Sequence, residues 1–254
     1  MLEQHIRQKL RHKPLLLMTH IVIGYPSFRE SWALARAMVD SGVDLMELQI
    51  PFSEPMADGP VILKANQQAL AAGATVQKCI EFATELSAQV QTPLLFMSYY
   101  NILFKYGVQR FTDQMKRSGL AGAIVPDLPL EEGSEYLGAM AEQGLSAVRL
   151  FAPNTPDHRM AALSQGASGM VYCVARKGVT GAQTTFSTEL SDYLARARRS
   201  TSLPLGVGFG IKDRADIEFL KGKADIAIVG SESIRMLDQS GIRATGEFIK
   251  TLVG

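Results

Sequence analysis

Two carboxylates and three clusters of glycine are the parts of this 254-residue chain most suited to chemistry. Glu47 lies in Val43-Asp44-Leu45-Met46-Glu47-Leu48-Gln49-Ile50, a run that reads as a β-strand. A two-residue period puts Met46, Leu48 and Ile50 on one face and Val43, Leu45, Glu47 and Gln49 on the other. If the wholly apolar face meets a layer of helices, Glu47 points into the centre of a barrel near its mouth, where a carboxyl group can give and take a proton. A buried Glu paired with a Lys or Arg is the other reading. Asp58 follows in Pro55-Met56-Ala57-Asp58-Gly59-Pro60, a turn-rich segment that can return over the mouth with a second carboxylate, although Asp before Gly is also ordinary turn chemistry.

The glycines suit a phosphate, whose recognition needs backbone N–H groups converging on one anion and a main chain free to approach it. Gly208-Phe209-Gly210 and Gly230-Ser231 follow the last two apolar runs, and Gly178-Val179-Thr180-Gly181 lies in a long intervening segment that could close over the site. Tight turns would use the same residues. The first run is followed by Ile23-Gly24-Tyr25-Pro26, without the G-x-G-x-x-G of a dinucleotide site. The four histidines, His5, His12, His20 and His158, show no metal-ligand spacing, and no metal is expected. Cys79 and Cys173 are far apart, which fits a reduced, cytosolic compartment.

The elements that must position these groups are legible as eight short apolar runs beginning near Leu15, Val43, Pro93, Gly122, Leu145, Ser168, Leu203 and Ala224. Helical periodicity fills the intervals, at about Arg29–Ser41, Thr75–Val90, Val108–Ser118, Glu131–Gln143, Thr155–Gln165, Ser187–Ser200, Arg214–Lys221 and Ser231–Leu252. That alternation predicts a single-domain α/β chain over 1–254, a (β/α)8 TIM barrel. Leu2, Ile6 and Leu10 predict a short amphipathic helix within Met1–Lys13. The intervals after the second and sixth runs are the longest, so Pro51–Pro60 and Arg176–Phe186 are expected to form a site wall and a lid at the C-terminal mouth. With 26 basic against 25 acidic residues and no apolar stretch of bilayer length, neither nucleic acid nor membrane is an expected partner.

At this level of detail the sequence resembles the tryptophan synthase alpha subunit family along nearly its whole length. The segment Glu47-Leu48-Gln49-Ile50-Pro51-Phe52-Ser53-Glu54-Pro55-Met56-Ala57-Asp58-Gly59-Pro60 carries the resemblance. So do Ser98-Tyr99-Tyr100-Asn101, Val125-Pro126-Asp127-Leu128-Pro129, Ala152-Pro153-Asn154-Thr155-Pro156 and Arg176-Lys177-Gly178-Val179-Thr180-Gly181-Ala182. The resemblance implies retro-aldol cleavage of indole-3-glycerol phosphate to indole and glyceraldehyde 3-phosphate, with Glu47 as the proton relay and Asp58 stabilising charge on the indole nitrogen. It implies that Tyr172 lines the substrate site, that Thr180 belongs to a closing loop, and that Gly181, Gly210, Gly230 and Ser231 contact phosphate. It further implies docking through Pro51, Phe52, Glu54, Met56, Asn101 and Pro129 on a beta subunit that carries pyridoxal phosphate, in an alpha2-beta2 heterotetramer. The apolar Pro51-Phe52-Ser53 and Pro55-Met56 turns would otherwise be odd on a monomer's surface. His20 stands where the family usually has an aromatic residue, Val22 a Thr, Tyr25 an Asp, Gln49 a Gly and Glu54 an Asp. His20 and Gln49 are therefore candidate substrate contacts. The departures leave open compensated change, a stand-alone or specialised lyase, and a weakly catalytic phosphate-binding regulatory subunit.

Overall fold

A computed structural model describes residues 2–175, 188–208 and 210–253. The first half runs α1 (Leu2–Leu10), β1 (Leu16–Val22), α2 (Phe28–Asp40), β2 (Leu45–Gln49), α3 (Pro60–Ala71), α4 (Val76–Ser87), β3 (Leu94–Met97), α5 (Tyr100–Tyr106), α6 (Val108–Arg117) and β4 (Gly122–Ile124). It continues through α7 (Ser134–Glu142), β5 (Ser146–Phe151), α8 (Asp157–Gln165), β6 (Val171–Val174), α9 (Thr188–Ser200), β7 (Leu205–Gly208), α10 (Arg214–Leu220), β8 (Ile226–Val229) and α11 (Ser231–Val253). The strands pair in parallel in chain order and β8 returns to β1, closing the barrel. All eight sequence-predicted strands are present.

Alternation along the strands sorts side chains into two layers. Leu17 and Ile21 of β1, and Met46 and Leu48 of β2, join Phe96 and the helix residues Leu34, Met38, Phe82 and Phe111 in the layer between sheet and helices. Leu16, Met18, Leu45, Leu95, Met97, Ile124, Val148, Ile226 and Ile228 fill the barrel interior. Leu2 and Ile6 of α1 pack into that interior cluster and close its N-terminal end. Burying each such side chain contributes about 1.5–3 kcal/mol. The interior positions one step nearer the mouth are His20 on β1 and Glu47 on β2, so the alternation that fills the core also delivers the first polar groups of the site.

Several sequence expectations are corrected. Val43 does not face the barrel interior: it precedes β2 and packs in the outer layer, because the strand begins only at Leu45. The long interval after β2 is not all loop but contains α3, which starts at Pro60 with its proline in the first turn and Gly59 as N-cap. The short helix α5 was not expected. The predicted Glu131–Gln143 helix begins three residues later, at Ser134. α11 is broken at Gly241, whose φ of 78° is one that glycine accommodates. The expected lid Arg176–Phe186, with Thr180 and Gly181, lies outside the described residues, as does Phe209.

Candidate active site

The geometry begins with strand register. β1 and β2 pair in parallel with His20 opposite Glu47 and Val22 opposite Gln49. Since both His20 and Glu47 face inward, their side chains meet: His20 Nδ1 lies 3.3 Å from Glu47 Oε1, and each side chain is only 5% exposed. Glu47 is thus paired with a titratable imidazole and not with a permanent cation. Its second oxygen, Oε2, is buried and has no partner among the described residues. Burial works against a charged imidazole, but Glu47 and, more weakly, Asp58 and Gln49 outweigh it and hold His20 above its ordinary 6.5.

Gln49 continues the inward face of β2 and reaches the loop above it. Its Nε2 donates to Asp58 Oδ2 at 2.6 Å, and the Tyr99 hydroxyl donates to the same oxygen at 3.0 Å. Tyr99 also accepts the Ala57 N–H at 3.1 Å and stacks on Phe52 with ring centroids 5.2 Å apart. Asn66 of α3 completes the frame by accepting the Phe52 N–H at 2.9 Å. The loop after β2 is therefore laid over the mouth by side chains from β2, β3's end and α3. Burial raises the Asp58 carboxyl above its ordinary value, while the donors Gln49 and Tyr99 and the nearby His20 pull the other way. Burial, together with Asp58, drives the Tyr99 phenol well above its usual range, so it remains a donor at any physiological pH.

The wall from β6 to β8 is built differently. Tyr172 of β6 packs against the interior cluster, and an added Cβ at Gly208 of β7 would lie 2.7 Å from its hydroxyl. Gly208 thus makes room for the tyrosine. Gly210 follows with φ of 88° and nothing within 4 Å of where a Cβ would stand. Gly230 sits just past β8, its Cβ position 3.8 Å from that of His20, and Ser231 opens α11, so the N–H groups of that helix's first turn begin at the mouth.

The structure thus brings Glu47, Asp58, Gln49, His20, Tyr172, Gly210, Gly230 and Ser231 to one end of the barrel, at or just beyond the strand ends. Thr180 and Gly181 cannot be placed. Tyr99 is the site residue that sequence reasoning passed over, although the alternation Leu95, Met97, Tyr99 points it inward. Of the docking candidates, Glu54, Met56, Asn101 and Pro129 are exposed, whereas Pro51 is buried and Phe52 is partly covered by Tyr99. The expected bare apolar turn is corrected accordingly: Pro51 and Pro55 fold inward, and Met56, 82% exposed, is what remains outside. Val22 is buried at the end of β1, opposite Gln49, and the buried Tyr25 donates from its hydroxyl to Asp238 of α11 at 2.5 Å.

A closed parallel (β/α)8 barrel with two carboxylates converging at its C-terminal mouth defines the class: a TIM barrel with its candidate site where the strands end. Comparison with known proteins narrows it. The model of the tryptophan synthase alpha chain family matches residues 6–252. The tryptophan synthase alpha chain of Syntrophotalea carbinolica is 60% identical over 252 residues, covering 99% of this chain and 100% of that one. A solved structure of Mycobacterium tuberculosis tryptophan synthase superposes with a TM-score of 0.92 at 30% identity, covering 99% of this chain and 96% of that one. The tryptophan synthase a2b2 complex of Pyrococcus furiosus contributes a chain with a TM-score of 0.88 at 32% identity, covering 94% of this chain and 98% of its own. This chain belongs to the tryptophan synthase alpha chain family.

Proposed function

We propose that this chain cleaves indole-3-glycerol phosphate to indole and glyceraldehyde 3-phosphate, and that it does so in an alpha2-beta2 heterotetramer with a beta subunit that receives the indole. The observation that carries the reading is the convergence of Glu47 and Asp58 on one mouth, one rising from a strand and the other brought over by a loop. Glu47 delivers a proton to C3 of the indole ring, which makes the carbon–carbon bond labile. The same carboxyl group then takes the proton of the adjacent glycerol hydroxyl as the aldehyde forms, returning the residue to its starting state. Its Oε2, without a partner among the described residues, is the oxygen suited to both transfers. Asp58 faces the indole nitrogen and stabilises the positive charge that develops there, with Gln49 and Tyr99 holding its Oδ2 in place.

The phosphate is held by the backbone at Gly210, Gly230 and Ser231, with Gly181 closing from the remaining side and Thr180 belonging to the segment that covers the bound substrate. Tyr172 lines the cavity over Gly208. Glu54 and Met56 follow β2, Asn101 lies in α5 just after β3 and Pro129 follows β4, so exposed residues after three consecutive strands share one sector of the rim. That sector, with Phe104 of α5 also 68% exposed, is the docking face for the beta subunit. Pyridoxal phosphate belongs to that partner, and no cofactor is required on this chain. Among the described residues no helix is long and apolar enough to cross a membrane, and a cytoplasmic site of action is proposed.

The test is release of indole from indole-3-glycerol phosphate by the purified chain, alone and with a beta subunit. Cleavage that rises on addition of the partner supports the whole reading. Equal cleavage without it leaves a stand-alone lyase, and no cleavage in either case rejects the reaction.

A further inference from the structure

Each of the two carboxylates is gripped at one oxygen by a neutral or titratable side chain from the barrel wall, and among the described residues no side chain takes the other oxygen. Glu47 meets His20 through Oε1, and Oε2 has no partner among the described residues. Asp58 accepts both of its side-chain hydrogen bonds at Oδ2, from Gln49 and from Tyr99. His20 and Gln49 both point inward from adjacent strands. A carboxylate held at one oxygen loses rotational freedom and presents the other in a fixed direction, which is what repeated proton transfer at a single carbon requires.

We propose, resting on the reaction above, that His20 and Gln49 are positioning residues: His20 orients Glu47 for proton transfer, and Gln49 carries Asp58 over the mouth from β2. The groups facing His20 are Glu47 on β2, Asp58 on the following loop and the neutral Gln49. Because its carboxylate neighbours outweigh its burial, the imidazole keeps its proton to higher pH than an ordinary histidine and loses it as pH rises further. Gln49 plays a complementary part. A loop carboxylate is ordinarily mobile, and a 2.6 Å bond from a strand residue fixes it to the rigid part of the fold before substrate arrives.

The experiment measures kcat, KM and the pH–rate profile with indole-3-glycerol phosphate and a beta subunit present. His20→Phe, which keeps the ring volume without the donor, should lower kcat about 10-fold with KM changed less than about twofold, the loss of one hydrogen bond to a charged group. It should also remove the limb of the profile above pH 6.5 that His20 contributes. His20→Gln, which restores a donor but not a titration, should recover part of the rate and none of the limb. Gln49→Gly should lower kcat about 10-fold. Native kcat in both His20→Phe and Gln49→Gly, or a faster Gln49→Gly enzyme, overturns the proposal.

Two spectroscopic measurements on the ligand-free chain separate this proposal from the reaction it rests on. The His20 imidazole, followed by NMR, should titrate above 6.5 and move down in Glu47→Gln. The Gln49 side-chain amide resonances should shift in Asp58→Ala. An unmoved imidazole titration or unmoved amide resonances would refute the positioning roles whether or not the chain makes indole. Absence of indole with both couplings present would instead refute the reaction.

Discussion

The two walls of the barrel mouth are made by opposite means. On the β1–β2 side the functional groups are side chains, and each is fixed by another side chain: His20 on Glu47, Gln49 and Tyr99 on Asp58, Asn66 beneath Phe52. On the β7–β8 side the wall proposed to hold phosphate is marked by the absence of side chains, at Gly208, Gly210 and Gly230, together with the start of α11. The difference follows from the tasks. Proton transfer depends on the protonation state of a particular oxygen, which only buried, directed neighbours can set. Holding a phosphate depends on donors that are already aligned, which a backbone and a helix terminus supply without ionisable groups. Damage to the first wall should therefore appear in kcat, and damage to the second in KM.

The largest effect short of removing Glu47 is expected from Asp58→Asn, which keeps the shape and the acceptor but removes the charge. Steady-state assays should show kcat lowered about 100-fold, the scale of losing one preorganised stabilising group, with KM little changed. Next, Gly208→Ala should crowd Tyr172, whose hydroxyl would lie 2.7 Å from the new methyl. KM should rise about 10-fold while kcat falls less, the reverse of the Asp58 pattern. A Gly208→Ala enzyme that lost kcat alone would erase the distinction between the walls.

The smallest effect sharpens the comparison through stability. Burial raises the folded-state carboxyl of Asp58 above its ordinary 3.8. The native state then binds more protons than the unfolded state between those values. The stabilisation is fully present below 3.8 and is lost as pH climbs through the folded value. Near neutrality Asp58 therefore costs stability, and Asp58→Asn should melt about 2 °C higher than the native chain, with a gap that narrows on acidification. Thermal unfolding in the absence of ligand checks this. A mutant less stable at neutral pH would mean that the Gln49 and Tyr99 bonds outweigh the burial of the charge.

Much of this arrangement was legible before any coordinates. The apolar runs located all eight strands, and the face assignment at Met46, Leu48 and Glu47 held because period two leaves no choice once the apolar face is known. Gly208, Gly210 and Gly230 could be placed at the ends of the seventh and eighth strands for a similar reason, since position relative to a strand end is a local property. What stayed hidden was non-local. Neither the His20–Glu47 contact nor the Gln49–Asp58 bond can be read without strand register and loop path. Tyr99 was overlooked because its role lies in touching a loop forty residues away in sequence, on the scale of the 41-residue separation from Asp58. The exposure of Phe52 was misjudged for the same reason: only the fold shows that Tyr99 covers it. α3 and α5 were missed because neither start carries a side-chain N-cap, Gly59 and Tyr99 standing where Ser, Thr, Asp or Asn would signal a helix.

The central claim, that Glu47 is the proton relay, is tested most directly by Glu47→Gln assayed for indole release from indole-3-glycerol phosphate, with substrate binding measured in parallel. The account predicts binding within about threefold of native and cleavage reduced about 100-fold or more. Cleavage at the native rate with binding intact would contradict it.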